Sequence, residues 1–220
     1  MSVLTYVVLI CFAIFGIQYW LKNKSYIFQA KDIEKIARHH VGKDKSISAT
    51  FSNIALEIER KYPGHVLPEE VREWLFINAG GWMGSMYVLH ASLTEYVLFF
   101  GTALDTQGHS GRYWANISDT ILTGSYRQWS EGRFGSRVYS PGETVYHTWG
   151  DVTAMHWTAG TWMVEYGRGF IPSTLGFALA DSIFSTTDFI QIFKIARMYA
   201  RALVQETLFQ VFEFIEMMKK

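Results

Sequence analysis

A stretch near the N terminus, residues 3–21, contains no charged side chain, and Lys22 and Lys24 follow it at once. Hydrocarbon cannot pair backbone polar groups, so a single segment that crosses a membrane is helical. At 1.5 Å per residue, a helix of this length spans a hydrocarbon core of roughly 30 Å. A cleaved signal peptide is the alternative, but a basic start and a small-residue cleavage pattern are both missing. The sequence therefore predicts a retained transmembrane anchor in residues 1–24.

The amino-acid composition limits the classes of molecule that the protein is expected to bind. The 220 residues carry a formal net charge of zero, which argues against nucleic acid as a partner. Hydrophobic residues make up 49% and aromatic residues 16%, a bias that favours lipid or an apolar ligand. The single cysteine, Cys11, excludes a disulfide within the chain and a metal site built from cysteines.

An apolar stretch in the middle of the chain, Met83–Leu104, is long enough to pass for a second membrane span. His90 and Glu95 interrupt it, glycines punctuate it, and β-branched and aromatic residues are frequent. Two buried strands, about Trp82–His90 and Glu95–Thr102, explain this pattern better than a helix does. On strands, the spacing of Gly80 and Gly84 indicates close backbone approach, which we expect at a subunit contact.

Short segments separated by glycine and proline turns continue from residue 108 to residue 170. Many short strands at this spacing predict a β-barrel or a β-sandwich. Thr153–Trp157 and Thr161–Tyr166 lie on either side of a short turn, residues 158–160, so we expect these two strands to pair as a hairpin.

Helical patterns flank the strands. Two short amphipathic helices are predicted before them, one around Ile33 and one around Ile54. After them, a helix is predicted over Leu175–Phe184, and residues 185–188 cap a longer one that runs towards Met217. The longer helix has apolar residues on nearly every side, so periodicity alone allows it to pack under a barrel or to lie flat on a membrane surface.

A carboxylate marks the strand Thr161–Tyr166. Alternation places Glu165 on the same face as Met163, among residues that otherwise form an apolar interior. A carboxylate in such a place is unfavourable unless it is protonated, paired or bound to a cation. A structural ion pair with Arg168 is the simpler explanation from this segment alone.

A second carboxylate, Asp119, shares an inward strand face with Ile117 and Ile121. If Asp119 and Glu165 meet in an apolar cavity, they cannot both ionise easily and should share one proton. One acid beside one anion can transfer a proton to and from carbon, or bind an ammonium group. Two unrelated polar residues are the alternative.

Metal and cofactor chemistry is not indicated. His147 and His156 fall on neighbouring predicted strands, but we find no third ligand at a readable spacing. The sequence also contains no glycine-rich phosphate loop and no nucleophile motif. We therefore expect no bound metal and no cofactor.

Several long motifs then point to one family. They are Pro63–Pro68, Asn78–Gly84, Gly108–Trp114, Ile117–Thr120, Thr161–Gly169 and Ile171–Thr174. From about Tyr26 to the C terminus the chain resembles the family that contains the sigma-1 receptors and the fungal sterol C8–C7 isomerases. The N-terminal helix matches in character only.

The resemblance implies an α+β fold, a cupin-like β-barrel that encloses the ligand. It also implies one N-terminal transmembrane helix and C-terminal helices that lie against the membrane. The corresponding divisions are an anchor over 1–24, a helical lead-in and barrel over 25–170, and capping helices over 171–220. The family forms homotrimers or larger assemblies.

The resemblance also implies roles for particular residues. Glu165 matches the carboxylate that pairs with a ligand amine, Asp119 matches its hydrogen-bonded, protonated neighbour, and Tyr96 matches the tyrosine that orients Glu165. The remaining ligand-binding positions carry over as Trp82, Met86, Val88, Leu98, Phe100, Tyr113, Ile117, Trp157, Thr174, Leu175, Ala178 and Tyr199.

The function expected from the resemblance is that of a receptor in the endoplasmic reticulum membrane, also found at the nuclear envelope, the plasma membrane or lipid droplets. Such a receptor binds lipophilic amines, steroids and membrane lipids. It acts as a chaperone-like modulator of ion channels, receptors, other chaperones and calcium or lipid signalling. The main alternative is an enzyme, a sterol isomerase that uses Asp119 and Glu165. A membrane scaffold with a vestigial pocket is the third possibility.

Overall fold

The computed structural model describes residues 2–219, which form five α-helices, ten β-strands and two short 3₁₀ turns. The helices are α1 (Val3–Asn23), α2 (Ala30–His40), α3 (Ile47–Lys61), α4 (Leu175–Phe184) and α5 (Phe189–Met218). The strands are β1 (Trp74–Ala79), β2 (Trp82–Ala91), β3 (Glu95–Thr102), β4 (Thr106–His109), β5 (Ala115–Thr123), β6 (Tyr126–Ser130), β7 (Arg137–Tyr139), β8 (Thr144–His147), β9 (Thr153–Trp157) and β10 (Thr161–Gly169). The 3₁₀ turns are Glu69–Val71 and Ile171–Thr174.

The strands form two antiparallel sheets. The larger has the order β1-β2-β3-β10-β5-β8, and the smaller has the order β4-β9-β6-β7. One apolar cluster draws side chains from both sheets, so their inner faces enclose a common core. Its buried members are Ala79, Trp82, Phe100, Ile121, Tyr126, Tyr139, Val145, Met155, Trp157 and Met163. The predicted α+β class and barrel are confirmed.

Helices α2 and α3 cover the outer face of the larger sheet. Both have the amphipathic pattern that the sequence predicts, and their apolar faces pack against the outward residues of β3 and β10. Alternation along β10 explains the division: Val164 and Tyr166 belong to this outer core, while Met163 and Glu165 face inward.

A buried carboxylate joins the segment after α1 to the barrel. Glu95, at the start of β3, accepts hydrogen bonds from the backbone N–H groups of Ile27 at 2.8 Å and Phe28 at 3.0 Å. The hydroxyl of Tyr166 donates to the same carboxylate at 2.9 Å. Three donors replace the lost hydration of this group, so it belongs to the framework of the fold.

Helix α1 is exposed along its length, and Leu21 is its only buried residue. Among the described residues, α1 alone is both long and apolar enough to cross a membrane, with a mean hydropathy of 2.0. The apolar stretch Met83–Leu104 forms β2 and β3, as predicted. One N-terminal span is therefore consistent with the structure.

The predicted hairpin of β9 and β10 is wrong. β9 pairs with β4 and β6 in the smaller sheet, whereas β10 lies between β3 and β5 in the larger one. The turn signal at residues 158–160 correctly marks where the chain reverses, but the reversal carries it from one sheet to the other. Strand partners depend on distant residues that a local turn motif does not specify.

The glycines Gly80 and Gly84 do allow close approach, but within one subunit. A Cβ on Gly80 would lie 2.6 Å from the carbonyl oxygen of His109, and a Cβ on Gly84 would lie 2.5 Å from the ring of Phe100. Gly84 is therefore needed for packing inside the barrel, and the expected subunit contact at these glycines stays a prediction.

The C-terminal helices pack on one end of the barrel. α4 contacts β1, and α5 contacts β1 and β2. The buried face of α5 contains Ile195, Met198 and Ala202, and the hydroxyl of Tyr199 donates to the Ser92 carbonyl at 3.0 Å. Many large apolar side chains on its other faces are exposed: Phe189, Ile190, Phe193, Val204, Leu208, Val211, Phe212, Phe214, Ile215 and Met217. The structure thus shows a helix that packs on the barrel and also presents an apolar surface.

Candidate functional site

A cavity of about 190 Å³ lies between the two sheets, and α4 and α5 close one of its ends. All fifteen residues that the sequence analysis assigns to a ligand site line it: Trp82, Met86, Val88, Tyr96, Leu98, Phe100, Tyr113, Ile117, Asp119, Trp157, Glu165, Thr174, Leu175, Ala178 and Tyr199. Most of this lining is apolar, and the two carboxylates are exceptions. The structure brings the predicted residues together, while their role in binding remains a prediction.

The two carboxylates are direct neighbours across a strand pair. Glu165 of β10 lies opposite Asp119 of β5 in the antiparallel register, and opposite Leu98 of β3 on its other side. Opposed residues of an antiparallel pair have Cβ atoms about 4.5–5.5 Å apart and point to the same face. The register therefore places both carboxyl groups in the cavity wall.

Tyr96 orients Glu165, as the resemblance implies. Its hydroxyl donates to Glu165 Oε1 at 2.5 Å. Gly167 makes this possible, because a Cβ at that position would lie 2.3 Å from the Tyr96 ring. Burial is the largest cause that raises the pKa of Tyr96 well above its usual value, so the hydroxyl keeps its proton and remains a donor.

His147, which the sequence analysis considers only as a metal ligand, is the polar partner of Asp119. Its Nε2 lies 3.1 Å from Asp119 Oδ2, and both side chains are about nine-tenths buried. Burial alone would lower the pKa of His147, but the hydrogen bond and charge of Asp119, together with the charges of Glu165 and Asp151, outweigh burial and raise the pKa overall. The contact therefore favours the protonated form of His147.

Glu165 has an unusually high pKa for a carboxyl group. Burial, followed by the negative charge of Asp119, raises the pKa of Glu165 to about 8, although Tyr96 and His147 act against the rise. The resemblance implies instead a protonated Asp119 hydrogen-bonded to Glu165. Tyr96 and His147 each contact one oxygen of these carboxyl groups, and Asp119 Oδ1 is buried without a hydrogen-bond partner. The implied hydrogen bond between Asp119 and Glu165 stays a prediction. The raised pKa of Glu165 therefore favours its neutral form, next to the contact between Asp119 and His147.

Arg168 is not the partner of Glu165. Its side chain lies on the other face of β10, with the guanidinium 5.3 Å from the centre of the Tyr26 ring. His156 is likewise separate from His147, because it lies on β9 in the smaller sheet, 3.9 Å from Asp105. The ion pair of Glu165 with Arg168 is therefore wrong, and the strands of the two histidines, β8 and β9, lie in different sheets.

The alternation of inward and outward residues along β8 is the sequence signal that could have identified His147 as a residue facing the cavity. Val145 and His147 occupy alternate positions of β8, and Val145 is buried in the inner core. The register that sets His147 opposite Ile117 of β5, two residues from Asp119, depends on the tertiary fold. Met163, Met155 and Met198 also line the cavity and were absent from the predicted set.

The arrangement supports two kinds of chemistry. A protonated carboxyl group beside an anion, in an apolar cage, can donate a proton to an alkene and stabilise the resulting cation. The same groups can bind an ammonium ion once Glu165 has lost its proton, because a low dielectric strengthens the attraction. Both uses place positive charge next to Glu165 and Asp119.

Structures that resemble this fold include cupins. An RmlC-like cupin from Shewanella frigidimarina matches with a TM-score of 0.41 and 11% identity, over 48% of this chain and 90% of that one. KdgF from a Halomonas species matches with a TM-score of 0.40 and 9% identity, over 47% of this chain and 94% of that one. At these values the likeness concerns the fold alone.

Sequence relatives are much closer. The model of the family described as "ERG2 and Sigma1 receptor like protein" matches residues 3–211. The sigma non-opioid intracellular receptor 1 of Taricha granulosa is 61% identical over 188 residues, which cover 86% of this chain and 83% of the relative. The receptor of the same name from Danio rerio is 57% identical, with coverages of 86% and 85%.

A fungal enzyme is a more distant relative. The C-8 sterol isomerase ERG2 of Gibberella zeae is 37% identical over 180 residues, which cover 81% of this chain and 76% of the relative. The family model and both groups of relatives extend across the barrel and its carboxylate pair. The chain therefore belongs to the family of the sigma-1 receptors and the fungal C-8 sterol isomerases.

Proposed function

We propose that this protein is a receptor of the endoplasmic reticulum membrane that binds lipophilic cationic amines and sterol-like ligands in the barrel cavity. The observation that carries the proposal is the protonated Glu165 beside the Asp119–His147 pair, within an otherwise apolar lining. A protonated amine replaces the proton of Glu165, and apolar flanks contribute about 25 cal/mol per Å² of buried apolar area. The names of the closer relatives support a receptor.

Saturation binding of a radiolabelled lipophilic amine to membranes that contain the protein tests the proposal. Glu165→Gln keeps the shape of the side chain and removes its charge. Losing one partner of a buried pair costs about 3–5 kcal/mol, so the affinity should fall by roughly a hundredfold or more. Glu59→Gln, an exposed carboxylate of α3, is the matched control and should bind as the unmodified protein does. Equal binding by Glu165→Gln would place the amine elsewhere.

The second candidate function is sterol isomerisation, and a specific feature favours it. Moving a ring double bond proceeds through a carbocation, which requires an acid to protonate the alkene and an anion nearby. Glu165 and Asp119 are such an acid and anion. If a sterol-isomerase-deficient yeast grows when it expresses this chain, the protein is an isomerase and the enzyme hypothesis replaces the receptor proposal. Failure to grow, together with amine binding, would support the receptor.

We also propose that α5 lies on the membrane surface and does not cross it. Its exposed apolar residues supply the membrane face, while Ile195, Met198 and Ala202 remain packed on the barrel. A helix that contributes to the closure of the cavity cannot leave the barrel without opening it. Labelling of single cysteines placed near the two ends of α5 should find both on the same side of the bilayer. Opposite sides would contradict the proposal.

We also propose that the protein regulates channels and receptors in a chaperone-like way. We propose further that it forms a homotrimer. A Cβ on Gly81 meets no atom nearer than 3.9 Å within the subunit, whereas one on Gly84 would lie 2.5 Å from Phe100, so Gly81 is the better test of the assembly. The φ of Gly81 is +89°, which strains any side chain, so circular dichroism must first show that the variant folds. A bulky residue at position 81 should reduce the particle mass measured by light scattering in detergent. An unchanged mass would remove Gly81 from the subunit contact.

A further inference from the structure

A second polar cluster lies outside the barrel, where the end of α2 meets α3. His40 Nε2 lies 2.8 Å from Glu57 Oε2, and His39 Nδ1 lies 3.5 Å from the same oxygen. One donor atom from each of these three side chains falls within 4.8 Å of the others. Two imidazoles and a carboxylate thus converge on one point between two helices.

These distances suit a small tetrahedral ion. Zinc binds histidine nitrogen and carboxylate oxygen at about 2.0–2.2 Å, so neighbouring ligand atoms in a tetrahedron are roughly 3.3–3.5 Å apart. The two contacts of Glu57 bracket this separation. Small rotations of the side chains would bring all three ligand atoms to it. Two histidines and one glutamate, with water in the fourth position, form a known type of zinc ligand set.

The second nitrogen of His40 has the partner that a metal-bound imidazole requires. Its Nδ1 faces Asp44 Oδ2 at 3.7 Å, and that oxygen is buried without a hydrogen-bond partner. The other oxygen of Asp44 accepts from Asn53 Nδ2 at 2.8 Å, which holds the carboxylate in place. When Nε2 binds a metal, Nδ1 carries the proton and can donate it to such a carboxylate. Bringing Nδ1 a few tenths of an ångström closer would then give the buried oxygen of Asp44 a donor.

The cluster has two largely buried side chains and two that are open to solvent, as expected for a site that an ion can enter. The side chains of His40 and Asp44 are 13% and 15% exposed, whereas those of His39 and Glu57 are 58% and 41% exposed. The inner pair is already positioned by the fold. The outer pair is open to solvent, so an ion can enter.

Although the sequence patterns predict no bound metal, we propose that His39, His40 and Glu57 bind a divalent zinc-type ion, with Asp44 as the hydrogen-bond partner of His40. The ion links the last turn of α2 to Glu57 of α3 and so restrains the loop between them, residues 41–46. Both helices pack on the outer face of the larger sheet, on the opposite side from the cavity. The site therefore acts on the stability of this helical layer and is independent of the carboxylate pair.

The test uses the full chain in detergent, purified through a tag without histidine and washed with chelator. Titration calorimetry with Zn²⁺ measures stoichiometry and affinity, and Co²⁺ reports tetrahedral geometry through its visible absorption. We expect one equivalent of Zn²⁺ and strong Co²⁺ bands. Either His40→Gln or Glu57→Gln should weaken binding by at least about tenfold and abolish the bands, and Asp44→Asn should weaken it by about tenfold.

The controls separate this site from other histidines. His156→Gln, on β9, should bind Zn²⁺ as the unmodified protein does. Because His40 is largely buried, the exposed His39→Gln provides a second variant, and circular dichroism verifies that each variant is folded. Bound Zn²⁺ should raise the melting temperature of the unmodified protein but not that of Glu57→Gln. Unchanged affinity in all cluster variants, no binding by the unmodified protein, or loss of binding in His147→Gln alone would each overturn the proposal.

Discussion

The protonation of Glu165 predicts how the binding of a permanent cation depends on pH. A quaternary ammonium ligand keeps its charge at every pH, so only the protein titrates. It binds the ionised form of Glu165, whose pKa burial and the charge of Asp119 raise to about 8. The apparent dissociation constant equals the intrinsic one divided by the fraction of protein in the competent form. Affinity should therefore rise with pH until Glu165 is fully ionised.

The magnitude follows from the pKa of about 8. Ionised Glu165 amounts to about 1% at pH 6, about half at pH 8 and about nine-tenths at pH 9. The affinity should rise about fiftyfold, or about 2.3 kcal/mol, from pH 6 to pH 8, and less than about twofold from pH 8 to pH 9. Equilibrium binding of a labelled quaternary ammonium ligand at fixed ionic strength measures the curve.

Two variants test the reasoning behind the curve. Glu165→Gln should bind weakly with little dependence on pH, because the titrating group is gone. Tyr96→Phe removes a hydrogen bond that lowers the pKa of Glu165, so the curve should move to higher pH. A flat profile for the unmodified protein, or a Tyr96→Phe curve displaced to lower pH, would refute the assignment of the proton to Glu165.

Three further predictions concern the stability of the fold. Gly108→Ala should destabilise the folded protein by roughly 1–3 kcal/mol, because the added Cβ would lie 2.3 Å from the Gly80 carbonyl oxygen. Gly176→Ala should stabilise the protein by about 0.5–1 kcal/mol, because the added Cβ meets nothing within 4 Å and alanine favours the helix α4. Denaturant unfolding measures both changes. Glu95→Gln turns an acceptor of backbone N–H groups into a donor, and the melting temperature should report a loss of roughly 1–3 kcal/mol. The His65–Glu206 pair should stabilise most between about pH 4.3 and 6.5. The hydrogen bond to Glu206 raises the pKa of His65, so this contribution is lost as pH rises through that raised value. Burial would raise the pKa of Glu206, but the hydrogen bonds from His65 and Gln210 and the charges of His90 and His65 together outweigh burial and lower the pKa. The contribution is therefore also lost as pH falls through the lowered value. The difference in melting temperature between the unmodified protein and Glu206→Gln should therefore be largest inside this window, and a constant difference would contradict it.

The sequence by itself determined the local elements and which side of each element is buried. Helices α2 to α5 and strands β2 and β3 lie where periodicity and capping residues predict them. The inward placement of Glu165 also follows from alternation along β10, because successive strand residues point to opposite faces. These features depend on residues that are close together in the sequence, so local sequence patterns are enough to predict them.

Only the tertiary structure decided which strands pair and where the proton lies. β9 and β10 are adjacent in sequence yet belong to different sheets, because strand pairing depends on packing between distant segments. The same packing brings His147 of β8 to Asp119 of β5, and it buries Glu165 beside Asp119, which raises the pKa of Glu165. A pKa depends on burial and on the charges within a few ångströms, and those neighbours come from strands that only folding brings together.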